Sequence, residues 1–435
     1  MTSLFESAWS CCRLARSLRG TLLAGLASGL LAVGFPGTTV AQTPSGPRPL
    51  PPTNKSAVQA EPGDRAGATA VLERLRDDVT RLASPEFEGR GTAAGKQKTI
   101  EFLVGRFEQL GLQPLFPDGS FRQAIPGPAG TGNPPPTLGW NIGGFIPGTD
   151  PRLKDEVLIL SAHHDHLGVR NGQVYPGADD NAGSVSMMLE VARRVAQPGG
   201  ALPRTLVILS CDLEEHLLWG ARWFVAHPPW PLERVKLFVT AELIGRTLGD
   251  LPLPAVFVMG GELSPGLRPL VDRVAHSPEL LVRHLGVDLV GVRSDYGPFR
   301  GEKVPFLFFS GGEHRDYHRP TDTAEKLDYR RIAQITELVH GTLKGVAEEV
   351  EPPAFGLQPE HTLDEVQTIE EITGLLLKLD DQGREKGRGR LSDQQRFTVS
   401  NVHVKTKQLL EQGSVTASDR AWLIRSTQVL LLTVF

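Results

Sequence analysis

EVLILSAHH (residues 156–164) is an apolar run that ends abruptly in two histidines. Similar runs follow along the chain: TLVILSCD (205–212), VKLFVTAEL (235–243), AVFVMG (255–260) and VPFLFFSG (304–311). Two helical patterns lie between the first three of these runs: AGSVSMMLEVARRVA (182–196) between the first and second, and WGARWFVAH (219–227) between the second and third. Near-continuous apolar strands that alternate with helices are typical of a parallel sheet buried on both faces. The sequence therefore predicts an α/β fold with a mostly parallel central sheet and helices on both faces.

Polar residues that could carry chemistry follow these runs in five segments. The segments are HHDH (163–166), PGADDNAG (176–183), CDLEEH (211–216), VTAELIGR (239–246) and RDYHRPTDT (315–323). Each has an ordinary explanation alone. Either Asp180 or Asn181 could cap one helix and Asp322 another, and Glu214 with Glu215 could form a solvated turn. An unpaired Glu242 among apolar neighbours would be costly, however. Because parallel sheets place their chemistry at the carboxyl ends of strands, the five segments together predict one functional site.

The histidine-rich segment predicts a metal ligand. In an extended chain alternate side chains share a face, so His163 and Asp165 point one way, and His164 and His166 point the other. A carboxylate two residues from a ligating histidine can orient its ring. Taken alone, a histidine-rich strand end is more often a polar surface. With the other four segments it predicts that His163 binds a metal while His164 and His166 point away.

Composition and the first residues bound the class of protein. The 435 residues are 40% hydrophobic and 22% charged, with a formal net charge of −4 and no long basic stripe, so nothing points to a nucleic-acid partner. Arg13, Arg16 and Arg19 precede the apolar residues 22–35, and small residues lead to Ala41. This pattern predicts a signal peptide over 1–41, a secreted or periplasmic protein, and no stable membrane span after cleavage. Cleavage would leave one cysteine and no internal disulfide.

The rest of the chain divides by composition. Residues 42–65 are rich in proline, serine and glycine and predict a disordered linker. Residues 66–350 carry the predicted catalytic domain, and residues 351–435 a small helical C-terminal extension of unknown role. Thr362 and Glu365 have the spacing of a capping box at the start of its first helix.

GRGTAAGK (89–96) has the look of a phosphate-binding loop but not its spacing. Three residues separate Gly91 from Gly95 where four are needed, and Gln97 stands where a magnesium-binding serine or threonine belongs. The segment instead predicts a loop that leads into an amphipathic helix over about 95–110.

Taken in order, several segments resemble the M28 family of zinc aminopeptidases. They are AHHDHLG (162–168), PGADDNAG (176–183), LEEHLLWGARWF (213–224), AELIGR (241–246), RSDYGPF (293–299) and DYHRPTDTAEKLD (316–328), preceded by a similar lead-in at 83–114. The resemblance covers roughly residues 70–345. It implies a phosphorylase/hydrolase-like α/β fold of the zinc exopeptidase type and peptide substrates with a free N-terminus.

The resemblance also implies a zinc site and its residues. Two zinc ions would be held by His163, Asp180, Glu215, Glu242 and His318. Asp180 would bridge the ions, His163 and Glu242 would complete the first site, and Glu215 and His318 the second.

Three further residues would then support catalysis. Glu214 would act as general base, Asp165 would orient His163, and Tyr317 would donate to the developing oxyanion. Such a site hydrolyses peptides because paired zinc ions lower the pKa of a water molecule and polarise the scissile carbonyl.

Two departures from the family pattern leave alternatives open. Glu242 replaces the usual aspartate, which puts the zinc ion beside His163 in question, and Leu217 replaces a glycine of the family's EExGLxGS, which could reshape the backbone. The leading hypothesis is a zinc aminopeptidase. The alternatives are a one-zinc enzyme resembling glutaminyl cyclases, and a catalytically silent binding or scaffold protein.

Overall fold

The computed structural model of the chain describes residues 62–128, 136–356, 359 and 361–435. Residues 60–435 form one compact unit. The predicted signal peptide, and the predicted linker up to residue 61, lie outside the described residues. The first helix begins at Pro62, four residues before the expected start of the domain.

Eleven strands are present in the described part of the chain. They are β1 (Gln113–Pro114), β2 (Arg122–Pro126), β3 (Thr137–Ile146), β4 (Val157–Ser161), β5 (Val169–Arg170), β6 (Gln173–Val174), β7 (Thr205–Ser210), β8 (Val235–Glu242), β9 (Ala255–Met259), β10 (Leu281–Leu285) and β11 (Phe306–Ser310). Nine form one sheet in the order β1-β3-β7-β4-β8-β11-β9-β10, with β2 also paired to β3. β5 and β6 form a separate hairpin.

The middle of the sheet is parallel, as predicted. β7, β4, β8 and β11 run in the same direction, whereas β3 pairs antiparallel to β7 and β9 antiparallel to β11. The four parallel strands therefore end at one edge of the sheet. β9, which contains the AVFVMG segment, is antiparallel to these strands, so its carboxyl end lies at the opposite edge.

Alternation along the central strands sends apolar side chains into two cores. In β4, Leu158 and Leu160 pack in the core on one face, and Val157 and Ile159 pack in the core on the other. All of these side chains are at most 2% exposed. Burial on both faces explains why the strand is apolar at every position.

Ten α-helices cover the sheet in the described residues. They are α1 (Pro62–Leu82), α2 (Ala93–Gln109), α3 (Gly183–Ala196), α4 (Trp219–Ala226), α5 (Leu267–Asp272), α6 (Tyr296–Gly301), α7 (Tyr329–Glu348), α8 (Leu363–Arg384), α9 (Asp393–Gln412) and α10 (Ala417–Thr433). Residues of α1, α2, α3 and α7 pack in one core, and residues of α4, α6 and α8 to α10 in the other. The predicted fold class is confirmed. No helix among the described residues has the length and apolar character needed to cross a membrane.

The C-terminal extension is helical, as predicted, but the predicted capping box is wrong. Thr362 makes no side-chain capping hydrogen bond. Glu365 is 3% exposed and accepts instead from the backbone N–H of Gly286 and from the Arg420 guanidinium. This glutamate therefore joins α8 to the end of β10 and to α10, a long-range use that local sequence spacing does not reveal.

Candidate metal centre

The candidate site lies where the four parallel strands end. His163 follows β4, Glu214 and Glu215 follow β7, Glu242 is the last residue of β8, and the segment after β11 carries His318. Asp180 joins them from the turn before α3, within 3.3 Å of His163 and 3.1 Å of His318. The residues that sequence analysis selected from distant segments are therefore brought together.

His163 is buried and oriented by Asp165. The Nδ1 atom of His163 lies 3.2 Å from the backbone oxygen of Asp165 and 3.6 Å from its carboxylate. The opposite ring nitrogen, Nε2, faces Asp180 and, at 3.7 Å, the Oε1 atom of Glu242. This leaves Nε2 free to bind a metal ion, with Asp165 in the orienting position that the sequence suggested.

Asp165 also fixes the acidic turn after β7. Its two carboxylate oxygens accept hydrogen bonds from the backbone N–H groups of Glu214 at 3.0 Å and Glu215 at 3.3 Å. Burial opposes its ionisation, but the hydrogen bond and charge of His163 and the charge of Lys96 outweigh burial and hold the pKa of Asp165 below its usual range. One ionised carboxylate thus positions both sides of the site.

The two oxygens of Asp180 face different histidines. Oδ1 lies 3.3 Å from Nε2 of His163, and Oδ2 lies 3.1 Å from Nε2 of His318. A carboxylate placed in this way can ligate one ion with each oxygen. The side chain is 4% exposed, which shields such ions from bulk water.

Four residues, His166, Asp180, Glu215 and His318, form what we call the second cluster, the first being His163, Asp180 and Glu242. The second cluster includes His166, which strand alternation had predicted to point away. Glu215 places Oε2 3.1 Å from Nε2 of His318 and Oε1 2.8 Å from Nδ1 of His166. The potential ligand atoms of His166, Asp180, Glu215 and His318 lie within 4.8 Å of one another. The expectation that His166 points away is wrong. β4 ends at Ser161, so the period of two residues that governs a strand no longer applies at His166.

His164 does turn away, as alternation predicted. Its Nδ1 atom lies 3.1 Å from the hydroxyl of Ser210, and its Nε2 atom lies 3.9 Å from the carboxylate of Asp212. The ring therefore packs on the strand beside β4. It takes no part in either cluster.

Glu242 supplies a buried carboxylate with an open oxygen. It is 8% exposed, and its Oε1 atom has no hydrogen-bond partner among the described residues. Burial raises the pKa of Glu242 to about 8, although the charge of His163 lowers it. An acceptor left unpaired in such a place is costly, and a cation beside it would remove that cost.

The donor set and its spacing fit zinc. Zn–N and Zn–O bonds of about 2.0–2.2 Å in tetrahedral geometry place neighbouring ligand atoms roughly 3.3–3.6 Å apart. The His163 to Asp180 separation of 3.3 Å lies within this range. The His163 to Glu242 separation of 3.7 Å lies just above it, and the 3.1 Å separations around His318 lie just below it. Burial lowers the pKa of His318, but the hydrogen bonds that it donates to Asp180 and Glu215 outweigh burial and raise this pKa to about 10.

Glu214 lies beside the ligands without joining them. It is half-buried, and burial, together with Glu242 and Asp295, raises its pKa well above the usual value against the opposing charge of His163. Asp295 is fully buried, and burial raises its pKa to about 6 against the opposing charge of His163. Sequence analysis did not single out Asp295.

Leu217, which stands where the family pattern has glycine, lies in the turn that follows the two glutamates. Leu217 has φ of 64°, in the left-handed region that glycine adopts without steric cost. Its side chain is 81% exposed. Position 217 thus has the backbone conformation that favours glycine, and its leucine side chain projects into solvent.

Tyr317 stands against the second cluster. Its ring stacks on His318 with centroids 3.9 Å apart. Burial and the nearby carboxylates of Asp180 and Glu215 raise the pKa of Tyr317 far above its usual value. The hydroxyl therefore stays protonated and can serve as a hydrogen-bond donor.

A second buried network supports Asp180 from behind. The carboxylate of Asp322 accepts from the backbone N–H groups of Asp179 and Asp180, each at 3.1 Å. Asp179 in turn accepts from the backbone of Gly245 and lies 3.2 Å from His314. The expectation that Asp322 caps the following helix is wrong, because its oxygens are used to hold the turn that presents Asp180. Asp180 likewise makes no capping bond to α3.

Arg90, in the GRGTAAGK segment, clamps the loops of the site. Its guanidinium donates five hydrogen bonds, all to backbone oxygens, which belong to Leu82, His164, Pro176, Gly177 and Asp180. Every N–H of the guanidinium is thus used. Burial lowers the pKa of Arg90 only to about 10, so it stays charged at neutral pH. Thr92 caps α2 as a loop leading into a helix should.

Comparisons with known proteins support the family that the sequence predicts. Residues 141–343 match the profile described as Peptidase family M28. The predicted resemblance to this family of peptidases is thereby confirmed over these residues.

The proteins and solved structures that this chain resembles are distant from it in sequence. Human endoplasmic reticulum metallopeptidase 1 is 28% identical over 217 residues, which is 48% of this chain and 22% of that protein. The chain spans 22% to 64% of the length of the curated relatives it matches.

Among solved structures, LapA of Legionella pneumophila is 18% identical with a TM-score of 0.51, covering 68% of this chain and 79% of LapA. A glutaminyl cyclase of Porphyromonas gingivalis is 17% identical with a TM-score of 0.50, covering 62% and 97%. Both likenesses concern the fold.

Proposed function

We propose that this M28 protein is a zinc-dependent aminopeptidase that removes N-terminal residues from peptides. The observation that carries the proposal is the placement of Asp180, whose two oxygens face His163 and His318 separately. His163 and Glu242 would hold one zinc ion. Glu215 and His318, with His166 beside them, would hold the other.

The residues around the ligands support hydrolysis. Zinc bound here would lower the pKa of a water molecule and polarise the scissile carbonyl. Glu214 accepts a proton from the attacking water and delivers it to the leaving amine. Tyr317 donates a hydrogen bond to the oxygen on which negative charge develops. The peptide's free amino terminus would lie against the metal centre, which limits cleavage to the first residue.

We also propose that the protein is exported. The support is the pattern of Arg13, Arg16 and Arg19, the apolar stretch 22–35 and the small residues before Ala41. Sequencing the N-terminus of protein recovered from a secreting host tests this, since an intact residue 1 would contradict it.

Zinc removal should abolish hydrolysis of aminoacyl p-nitroanilides. The physical reason is that the carbonyl and the attacking water both depend on the ions for activation. We expect dialysis against a chelator to lower the release of nitroaniline at least about a hundredfold, and added zinc to restore it. A rate that survives metal removal would contradict the proposal. One zinc ion together with cyclisation of an N-terminal glutamine would instead indicate the glutaminyl-cyclase-like alternative.

A further inference from the structure

An apolar cavity opens from the metal centre toward the C-terminal extension. Its volume is about 270 Å³, and Glu242 and Tyr317 line it at the end nearest the metal ligands. The sheet provides Phe257, Met259 and Phe308. The cavity therefore begins where the scissile bond would lie and continues into an apolar interior, as small-molecule sites commonly do.

Helices of the C-terminal extension form the far wall of this cavity. Lining residues come from both α8 and α10: Ile369, Ile372, Thr373, Thr427, Leu430 and Leu431. These helices lie outside the segment that matches the peptidase profile, which ends at residue 343. The wall is thus a feature of this chain beyond its M28 segment.

The wall is held firmly against the sheet. Glu365 and Arg420 form an ion pair in which both residues are at most 5% exposed, and it links α8 to α10. Glu365 also accepts from the backbone of Gly286 at 3.1 Å, and the hydroxyl of Thr427 lies 3.3 Å from the backbone oxygen of Leu289, another lining residue. These contacts fix the position of the wall relative to the metal ligands.

We infer that this cavity takes the side chain of the substrate's N-terminal residue and that the C-terminal extension makes the enzyme select large apolar side chains such as leucine and phenylalanine. The inference rests on the proposed aminopeptidase function. With the free amine at the metal centre and the carbonyl beside Tyr317, the first side chain leaves from the same point at which the cavity opens. An apolar cavity of this kind discriminates by about ten- to two-hundredfold per methylene group. Leucine substrates should therefore exceed alanine substrates in kcat/KM at least about tenfold.

Two neighbouring residues of α10 give a matched test. Leu431 is half-buried and lines the cavity, whereas Leu432 is 78% exposed and is absent from the lining. Leu431→Trp should lower kcat/KM for leucine and phenylalanine p-nitroanilides at least about tenfold and leave the alanine substrate within about threefold. Leu432→Trp should change neither, and both variants should keep the wild-type zinc content. Leu431→Phe, a smaller change in the same direction, replaces Leu431→Trp if the latter does not fold.

A binding measurement separates this inference from the proposed function. 3-Methylbutylamine and ethylamine carry the leucine and alanine side chains on an amine, and their binding to the zinc-loaded protein can be measured without hydrolysis. Leu431→Trp should weaken the binding of 3-methylbutylamine at least about tenfold and leave ethylamine unchanged. Equal effects on both amines, or none, would overturn the inference. Loss of the expected hydrolysis in the wild type, with the amine difference preserved, would overturn only the aminopeptidase proposal.

Discussion

Glu214→Gln should lower kcat for aminoacyl p-nitroanilides by about 10²–10⁴ without loss of zinc. Glutamine keeps the size of the side chain but cannot accept the proton of the attacking water. Glu214 is positioned through its backbone N–H, which donates to Asp165, and glutamine retains that group. Steady-state kinetics and metal analysis on the same preparation give both quantities.

The adjacent residue provides the control. Glu215 faces His166 and His318 with both oxygens, so Glu215→Gln should lower the zinc content as well as the activity. The two glutamates thus separate proton transfer from metal binding. A Glu214→Gln variant with activity within about tenfold of the wild type, or one that loses zinc as Glu215→Gln does, would contradict the assigned role.

Arg90→Met should destabilise the fold severely and abolish high-affinity zinc binding. Methionine fills part of the space but removes the arginine donors of five backbone oxygens. Of these, Gly177 keeps a second donor, the backbone N–H of Ala182. Each buried group left unpaired costs about 1–3 kcal/mol. Three of those oxygens belong to Pro176, Gly177 and Asp180, in the turn that presents the Asp180 carboxylate. We expect a loss of more than about 4 kcal/mol in the free energy of unfolding, measured by urea denaturation of the zinc-free protein.

A second arginine and a conservative variant keep this prediction testable. Arg273, just after α5, makes an exposed ion pair with Glu349, so Arg273→Met should cost no more than about 1 kcal/mol. Arg90→Lys keeps the charge but offers three donors from one point in place of a planar set of five. It should fold and bind zinc more weakly than the wild type. Stability and zinc affinity of Arg90→Lys and Arg90→Met equal to those of the wild type would show that the clamp is unimportant.

The burial of the central strands and the edge at which they end were predictable from the sequence. Leu158 and Ile159 are apolar because both faces of β4 are buried, and that property alone indicates a central strand of a parallel sheet. Since parallel strands end at one edge, residues as distant as His163 and Glu242 could be expected to meet. The structure brings them to 3.7 Å, while their binding of zinc remains a prediction.

Contacts made beyond the strand, or through the backbone, were not predictable. Alternation correctly predicted that His164 points away but failed for His166, which lies five residues beyond the end of β4 at Ser161. Arg90 escaped notice because its partners are backbone oxygens, which any residue provides. Glu365 has the spacing of a cap, and only tertiary packing shows that its carboxylate is used by Arg420 instead.

The zinc content of the purified protein distinguishes a two-zinc site from a one-zinc site. We predict two zinc ions per chain by inductively coupled plasma mass spectrometry, because Asp180 offers one oxygen to each of two histidines. Glu242→Ala should retain only the ion held by Glu215 and His318. A wild-type protein that binds a single ion when zinc is in excess would contradict the account.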